Sequence, residues 1–228
     1  MRVGVLFSGG KDSTYAAYLA RRGGEDLRCL ITLFPSRPDS YMFHYPNLRL
    51  TRLQAEAMHL PQVTVQTKGV KEEELGDLKD AIATAVRGYS VEVVYTGALA
   101  SIYQKSRVER VCEELGVRAV SPLWHVDQVA HLEHILTAGF KVIVTGAAAL
   151  GLDESWLGRQ LDQAMVADLA RLHEKYRINP ALEGGEGETF VLDCPLFDRR
   201  IDVVSSKKHW NGDSGYLEIL EARLIPKE

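Results

Sequence analysis

Residues 8–13, with the sequence SGGKDS, combine two adjacent glycines with two hydroxyls, a lysine and a carboxylate. Adjacent glycines let the backbone turn tightly with its N–H groups pointing inward. A helix predicted to begin near Thr14 directs its positive end at the same place. Because the hydroxyl donors and the charge of Lys11 lie beside these groups, the stretch is predicted to bind a chain of phosphates.

An ordinary turn between a strand and a helix is the alternative for this stretch. In that case the glycines serve only the geometry of the turn, and a serine or Asp12 caps the helix. A Walker A loop is excluded, because that motif needs a lysine directly after its second glycine. Gly4 and Gly9 have the right separation, but Gly10 follows.

A second chemically distinctive stretch is residues 183–189, EGGEGET, which brings together three carboxylates and three glycines. Clustered carboxylates repel one another unless a cation neutralises them. Glycines beside them allow the backbone to approach a ligand closely. The stretch therefore predicts a site for a cationic group, while a solvated turn remains the alternative.

The composition is that of an ordinary globular protein of 228 residues, 46% hydrophobic and 25% charged. A net charge of −4 argues against general electrostatic binding of nucleic acid, so no stable nucleic-acid partner is expected. No apolar run is long enough to span a bilayer, so no membrane partner is expected. Three separated cysteines without a secretory leader predict reduced thiols and a cytoplasmic location: Cys29, Cys112 and Cys194.

The first half of the chain is predicted to alternate strands with helices. The predicted strands are 3–7, 28–34, 62–66, 91–95 and 117–120, and the helices between them begin near Thr14 or cover 47–59, 71–87 and 101–115. This alternation predicts right-handed crossovers and a parallel sheet. Ligands bind beyond the carboxyl ends of such strands, so one crevice is expected among residues 8–13, 35–47, 96–104 and 121–124.

The pattern changes after about residue 124, which predicts two domains, 1–124 and 125–228. Helices are predicted at 127–137 and 162–176, with Met165, Leu169, Leu172 and Tyr176 forming a core-facing stripe. Strands are predicted at 141–145, 190–192, 201–204 and 216–224, in a smaller mixed sheet. The expected fold class is thus α/β with a smaller C-terminal α+β domain.

SGGKDS resembles the PP-loop of the ATP pyrophosphatases, whose pattern is SGGxDS. Four more motifs follow in order: SYMFH at 40–44, TGALASIYQKSRVERVCEELG at 96–116, GLDESWLGR at 151–159 and EGGEGETFVLDCPLF at 183–197. Together the five motifs resemble the diphthine–ammonia ligase family, over nearly the whole chain. One position departs from the family pattern, since Gly187 stands where the loop usually has an aromatic residue.

This resemblance implies a HUP-type, Rossmann-like parallel sheet with a PP-loop, followed by a smaller family-specific domain that receives the protein substrate. It implies ATP-dependent amidation of diphthine, a modified histidine on elongation factor 2, through an acyl-adenylate. Ammonium is the implied nitrogen source, and AMP and pyrophosphate are the implied products. ATP and Mg²⁺ are the implied cofactors, and whether two chains form a homodimer is left open.

Two sets of site residues follow from the motifs and the resemblance. ATP is expected to contact Ser8, Gly9, Gly10, Lys11, Asp12, Ser13, Gly97, Gln104 and Arg107. Within that set Lys11, Asp12 and Ser13 are predicted to be catalytic, and Asp12 to hold Mg²⁺ against the phosphates. The substrate is expected to contact Tyr41, His44, Glu183, Gly184, Gly185, Glu186, Glu188 and Thr189.

The cationic trimethylammonium group of diphthine is expected to meet the glutamates, with Trp124 or Trp156 as aromatic partners. Core packing is the alternative for the tryptophans, and a solvated helix face is the alternative for Arg107. Two other functions stay open. A tRNA-modifying enzyme would favour paired cysteines and a basic domain, neither of which is present, and a non-catalytic ATP-binding module would need no turnover.

Overall fold

The structure, a computed structural model, describes residues 1–35, 47–67 and 73–227. Tyr41 and His44, predicted to contact substrate, lie outside the described residues. The described chain divides into two compact units: residues 1–8, 12–35, 58–67 and 73–125 form the first, and residues 9–11, 47–57 and 126–227 form the second. The domain boundary predicted at residue 124 stays a prediction, because compactness does not test independent folding.

The first unit contains a five-stranded sheet in which every neighbouring pair is parallel, in the order β3-β2-β1-β4-β5. Its strands are β1 (Arg2–Leu6), β2 (Asp26–Pro35), β3 (Gln62–Thr67), β4 (Val93–Tyr95) and β5 (Arg118–Val120). The parallel α/β sheet is confirmed. Its strand order reverses between β1 and β4, which is where open sheets of this kind bind their ligands.

Six helices occur among the described residues: α1 (Lys11–Arg22), α2 (Thr51–Ala57), α3 (Glu73–Tyr89), α4 (Ile102–Glu114), α5 (Gln128–Thr137) and α6 (Gln163–Tyr176). In the first unit, α3 and α4 pack on the sheet through buried Ile82 and Val111, which meet Ile31 and Val94. Helix α1 begins at Lys11, so the predicted start near Thr14 is wrong.

The earlier start of α1 places Asp12 and Ser13 inside its first turn. Asp12 is therefore not an N-cap, which was the alternative role for that residue. A carboxylate in the first turn interacts favourably with the positive end of a helix. The same end is therefore electropositive backbone with its own acid and hydroxyl attached, as the phosphate-loop prediction requires.

The second unit contains a four-stranded sheet in the order β7-β6-β9-β8, and all of its pairs are antiparallel. The strands are β6 (Lys141–Ala147), β7 (Gly187–Asp193), β8 (Arg199–Trp210) and β9 (Gly215–Pro226). The predicted mixed sheet is wrong, because β8 and β9 form one long hairpin. Its turn is closed by the Asn211 N–H, which donates to the Ser214 carbonyl at 3.0 Å, and Gly212 supplies a φ of +105°.

Helix α6 buries Met165 and Leu169, as predicted for its apolar stripe. Tyr176, which was assigned to the same stripe, is 38% exposed at the end of the helix, so the predicted stripe is too long. The helix begins at Asp162, whose carboxylate accepts from the Met165 N–H at 2.7 Å. This cap satisfies one of the backbone donors that the first turn leaves unpaired.

Residues 47–57 belong to the second unit, where they border strand β9. Strand β9 bonds to β6 only through Gly215 and Tyr216. Beyond that point the buried carboxamide of Asn47 donates to the Leu217 carbonyl at 2.8 Å and accepts from the Ile219 N–H at 2.9 Å. Asn47 thus bonds to the backbone of the strand as another strand would, and covers an open sheet edge.

Among the described residues no helix combines the length and the apolar character needed to cross a membrane. The three cysteines are free and buried. Burial raises the pKa of the Cys29 and Cys194 thiols to about 12 and that of Cys112 to about 11. Thiols are reactive as thiolates, so these side chains are expected to be inert in the folded protein.

We predict that native protein at pH 8 does not react with Ellman's reagent, and that all three thiols react after unfolding in guanidinium. Because the unfolded chain ionises its thiols at a lower pH than the folded chain, stability should also fall as the pH rises above about 9. Absorbance at the reagent's wavelength and urea titrations across pH measure the two effects. Rapid reaction of one thiol in the native protein would contradict the burial of these side chains.

Candidate active site

The middle of the SGGKDS stretch is held by strand β7 within the second unit. The Gly9 carbonyl accepts from the Val191 N–H at 3.0 Å, and the Lys11 N–H donates to the Thr189 hydroxyl at 3.1 Å. Thr189 ends the acidic stretch, so the structure brings a predicted substrate residue into contact with a predicted ATP residue. The side chain of Lys11 is 3% exposed.

The flanking residues of the same stretch lie in the first unit. The hydroxyls of Ser8 and Ser13 are 3.2 Å apart, and the Ser8 N–H donates to the Ser13 hydroxyl at 3.3 Å. The loop after β4 touches the same turn, because a Cβ built on Gly97 would lie 2.7 Å from the Asp12 carbonyl carbon and from the Ser13 nitrogen. Gly97 and Ser13, predicted to share a site, are therefore adjacent.

Helix α4 carries the two remaining predicted ATP residues. Gln104 is exposed, and its N–H donates to the capping Ser101 hydroxyl at 3.3 Å. The guanidinium carbon of Arg107 lies 3.4 Å from the centroid of the Tyr103 ring, and its Nη1 is buried with no hydrogen-bond partner among the described residues. Glu109 pairs instead with Lys105. Arg107 therefore keeps hydrogen-bonding capacity for an anion, which a solvated helix face does not explain.

The acidic stretch is a turn that leads into β7, with Gly184 and Gly185 exposed at its tip and in left-handed conformation, φ +73° and +86°. The Glu186 carboxylate accepts a hydrogen bond from the Asn179 N–H, and the Glu186 carbonyl accepts from the Ala148 N–H at 2.9 Å. Glu186 therefore shapes the turn. Glu183 and Glu188 are half-buried beside it.

Gly187 occupies a confined position in this turn. A Cβ there would lie 3.0 Å from the Gly146 carbonyl oxygen and 3.1 Å from the Leu182 Cβ. The departure from the family pattern at this position therefore fits the packing of this chain, which leaves little room for an aromatic side chain.

The two candidate tryptophans already have cationic neighbours. Trp124 is half-buried with the Lys105 ammonium 5.2 Å from a ring centroid. Trp156 is 6% exposed, and the Arg159 guanidinium carbon lies 4.6 Å from its ring. Arg159 also bonds Asp168 at 2.5 Å and holds the pKa of that carboxyl below its usual range. The arrangement of Trp156 favours the core-packing alternative.

Sequence reasoning missed a polar face on the segment 47–57. Asn47, Thr51 and Gln54 are spaced four and three residues apart, which places them on one side of a helix, and all three are buried. Gln54 is 0% exposed and its Nε2 donates to the carbonyls of Gly9 and Val191. The signal was three polar residues at a helical spacing, but their partners are remote in sequence.

Phosphates fit this set of residues better than a metal ion alone. The residues that the structure describes include no cluster of three or more His, Cys, Asp or Glu side chains suited to a metal. A glycine-shaped turn, two facing hydroxyls and a partly unbonded guanidinium are donors rather than metal ligands. Phosphate oxygens would complete a site for Mg²⁺ beside the Asp12 carboxylate.

Comparison with known proteins gives matches along the whole chain. The profile of the diphthamide synthase N-terminal domain matches residues 1–119, and that of the diphthamide synthase C-terminal domain matches residues 127–225. A diphthine–ammonia ligase from Bos taurus is 37% identical over 251 residues, which cover 100% of this chain and 94% of that protein. One from Schizosaccharomyces pombe is 34% identical and is covered over 43% of its length.

Among solved structures, one titled as a predicted subunit of a tRNA methyltransferase from Methanocaldococcus jannaschii aligns with 86% of this chain and 98% of its own. The identity is 18% and the TM-score is 0.48. A likeness at this level carries no argument about function.

We predict that Gly97→Ala destabilises the protein, because the added Cβ meets backbone atoms that cannot rotate away. Overpacking of this kind costs about 1–3 kcal/mol. The free energy of unfolding in urea measures the effect. Gly88→Ala is the matched control, since a Cβ there meets nothing within 4 Å and Gly88 lies in helix α3. Equal stability of the two variants would contradict the close approach.

Proposed function

The chain belongs to the diphthamide synthase family, and on that premise we propose that it is an ATP-dependent ligase that amidates diphthine on elongation factor 2 with ammonium. The proposed products are the diphthamide amide, AMP and pyrophosphate. The reaction needs the carboxylate of the substrate beside the α-phosphorus of ATP. A phosphate-binding turn and a substrate-binding turn must therefore adjoin.

One contact carries this proposal: the hydrogen bond from the Lys11 N–H to the Thr189 hydroxyl at 3.1 Å. It links the glycine turn to the end of the acidic stretch inside a single compact unit. The two motifs that a carboxylate-activating enzyme needs are thereby neighbours. An ATP-binding module without a substrate would have no use for that arrangement.

The first step forms an acyl-adenylate. The substrate carboxylate oxygen attacks the α-phosphorus of ATP, the bond from that phosphorus to the bridging oxygen breaks, and pyrophosphate leaves. Negative charge grows on the leaving group, so donors fixed around it lower the barrier. We assign this role to the Lys11 ammonium and to the hydroxyls of Ser8 and Ser13, which face each other at 3.2 Å.

Binding of ATP is assigned to residues 8–13, Gly97, Gln104 and Arg107. The buried Nη1 of Arg107, which has no hydrogen-bond partner among the described residues, supports an anion at that place. Asp12 is the residue that would hold Mg²⁺, in the first turn of α1. The ion supplies positive charge against the phosphate oxygens.

The second step transfers the acyl group to nitrogen. Ammonia attacks the carbonyl carbon, the bond to the AMP oxygen breaks, and AMP leaves with that oxygen. Starting from ammonium, one proton is released to solvent overall and a second leaves the nitrogen as the amide forms. Adenylation is necessary because a carboxylate itself has no adequate leaving group.

We assign the trimethylammonium group of diphthine to Glu183 and Glu188, within the set 183–186, 188 and 189 proposed for substrate. The bond from the Asn179 N–H to the Glu186 carboxylate supports a shaped turn rather than a loose one. A cation near such carboxylates reduces their mutual repulsion. The two domains, 1–124 for ATP and 125–228 for the protein substrate, are part of this proposal, as is a cytoplasmic location consistent with three free thiols.

We predict that amide formation on diphthine-bearing elongation factor 2 requires this protein, ATP–Mg²⁺ and ammonium together. Mass spectrometry of the factor and a pyrophosphate assay measure the two products. Lys11→Met should lower pyrophosphate release on the order of 10²-fold, because one donor to the leaving group is lost. Lys79→Met is the control, since Lys79 forms an exposed pair with Glu114. Pyrophosphate release that does not depend on diphthine would contradict the proposed ligase.

We predict that Glu183→Gln and Glu188→Gln each raise the KM for the modified factor about tenfold, because the attraction of one carboxylate for the cation is lost. The KM for ATP should stay unchanged. Steady-state kinetics with each substrate varied in turn measure this. Glu174→Gln, on the exposed side of α6, is the control. An unchanged KM for the factor in both variants would remove the acidic stretch from the substrate site.

A further inference from the structure

The carboxamide of Gln54 lies buried against the glycine turn in the second unit. Its Nε2 donates to the Gly9 carbonyl at 2.9 Å and to the Val191 carbonyl at 2.8 Å. The Val191 N–H donates to the same Gly9 carbonyl at 3.0 Å. One side chain on α2 and one strand therefore hold a single peptide group of the turn.

These bonds fix the direction of the next amide. In a trans peptide the carbonyl and the N–H of one plane point in opposite directions, and none of the described peptide bonds is cis. Two donors hold the Gly9 oxygen toward Gln54 and β7, so the Gly10 N–H points away from them. Without those donors the plane between two glycines could rotate, because glycine restrains its backbone least. A carbonyl turned toward a phosphate would repel it.

The fit between Gln54 and Gly9 leaves no room for either to change alone. A Cβ on Gly9 would lie 2.5 Å from the Gln54 Oε1 and 3.0 Å from the Thr51 Cγ2, and the φ of Gly9 is +80°. The Gln54 Oε1 is buried and has no hydrogen-bond partner among the described residues. A buried acceptor without a partner destabilises a fold. An apolar side chain would therefore fill this place better if packing were its only role.

We propose that Gln54 is a positioning residue that holds the backbone of residues 9–11 in the conformation that receives the phosphates of ATP. The inference rests on the proposed function for its ligand. Thr189 completes the arrangement at the other end of the segment, where its hydroxyl accepts from the Lys11 N–H. Gln54 itself touches no reacting atom in this role and acts through Gly9.

Asn47 provides a matched control on the same segment. It is also a buried carboxamide that bonds two backbone groups, but its partners are Leu217 and Ile219 of strand β9. Gln54→Leu and Asn47→Leu each remove two hydrogen bonds from one buried side chain. Both variants should be less stable than the native chain, so stability alone does not separate them.

The experiment measures ATP binding by titration calorimetry, without turnover, and amide hydrogen exchange of the peptide that contains residues 9–11. We expect Gln54→Leu to weaken ATP binding about tenfold and to speed exchange of that peptide in the ligand-free protein, as loss of two hydrogen bonds to the turn implies. Asn47→Leu should leave both unchanged. In turnover, Gln54→Leu should raise the KM for ATP more than it lowers kcat.

A second pair of variants keeps the test decisive if Gln54→Leu does not fold. Thr189→Val removes the acceptor of the Lys11 N–H at nearly constant size and should speed the same exchange, while Thr189→Ser should restore the native rate. Native exchange in Gln54→Leu or in Thr189→Val overturns the inference, as does equal ATP affinity in Gln54→Leu and Asn47→Leu. Native protein that binds no ATP overturns the proposed function, and the exchange rates then still report whether Gln54 holds the turn.

Discussion

The hydrogen bonds that strand β7 makes to residues 9–11 are the constraint on which the candidate site depends. Two consecutive glycines have the largest conformational freedom of any dipeptide, so they do not hold one shape by themselves. Their shape is imposed by Val191, Thr189 and Gln54. The contact between Lys11 and Thr189 joins residues 178 positions apart in sequence. A local motif that looks complete in the sequence is thus built from remote parts of the chain.

The parallel sheet could be predicted from the sequence because its strands are short apolar runs separated by amphipathic helices. The start of α1 could not, because Asp12 and Ser13 are equally at home before a helix and in its first turn. The second sheet was misjudged for a different reason. Direction depends on which strands pair, and the hairpin of β8 and β9 was predicted as two short separate strands.

The candidate site divides in the same way. Residues 8–13, Gly97 and the acidic stretch could be found because their types are unusual and their motifs local. Gln54 could not be found, since a glutamine in a helix is usually solvated and only its burial against Gly9 reveals a role. Glu186 shows the opposite limit. Its charge suggested a ligand, while the Asn179 N–H that it binds is a backbone group that no side-chain pattern reports.

The second unit is assembled from three separate stretches of chain, residues 9–11, 47–57 and 126–227. During synthesis the first two leave the ribosome well before strand β9, which Asn47 needs as its partner. Asn47 and Gln54 must therefore wait, with their hydrogen bonds made to water, until nearly the last residues have been translated. The nascent chain can order its glycine turn only once translation is almost finished, so an unfinished polypeptide cannot acquire a completed nucleotide site.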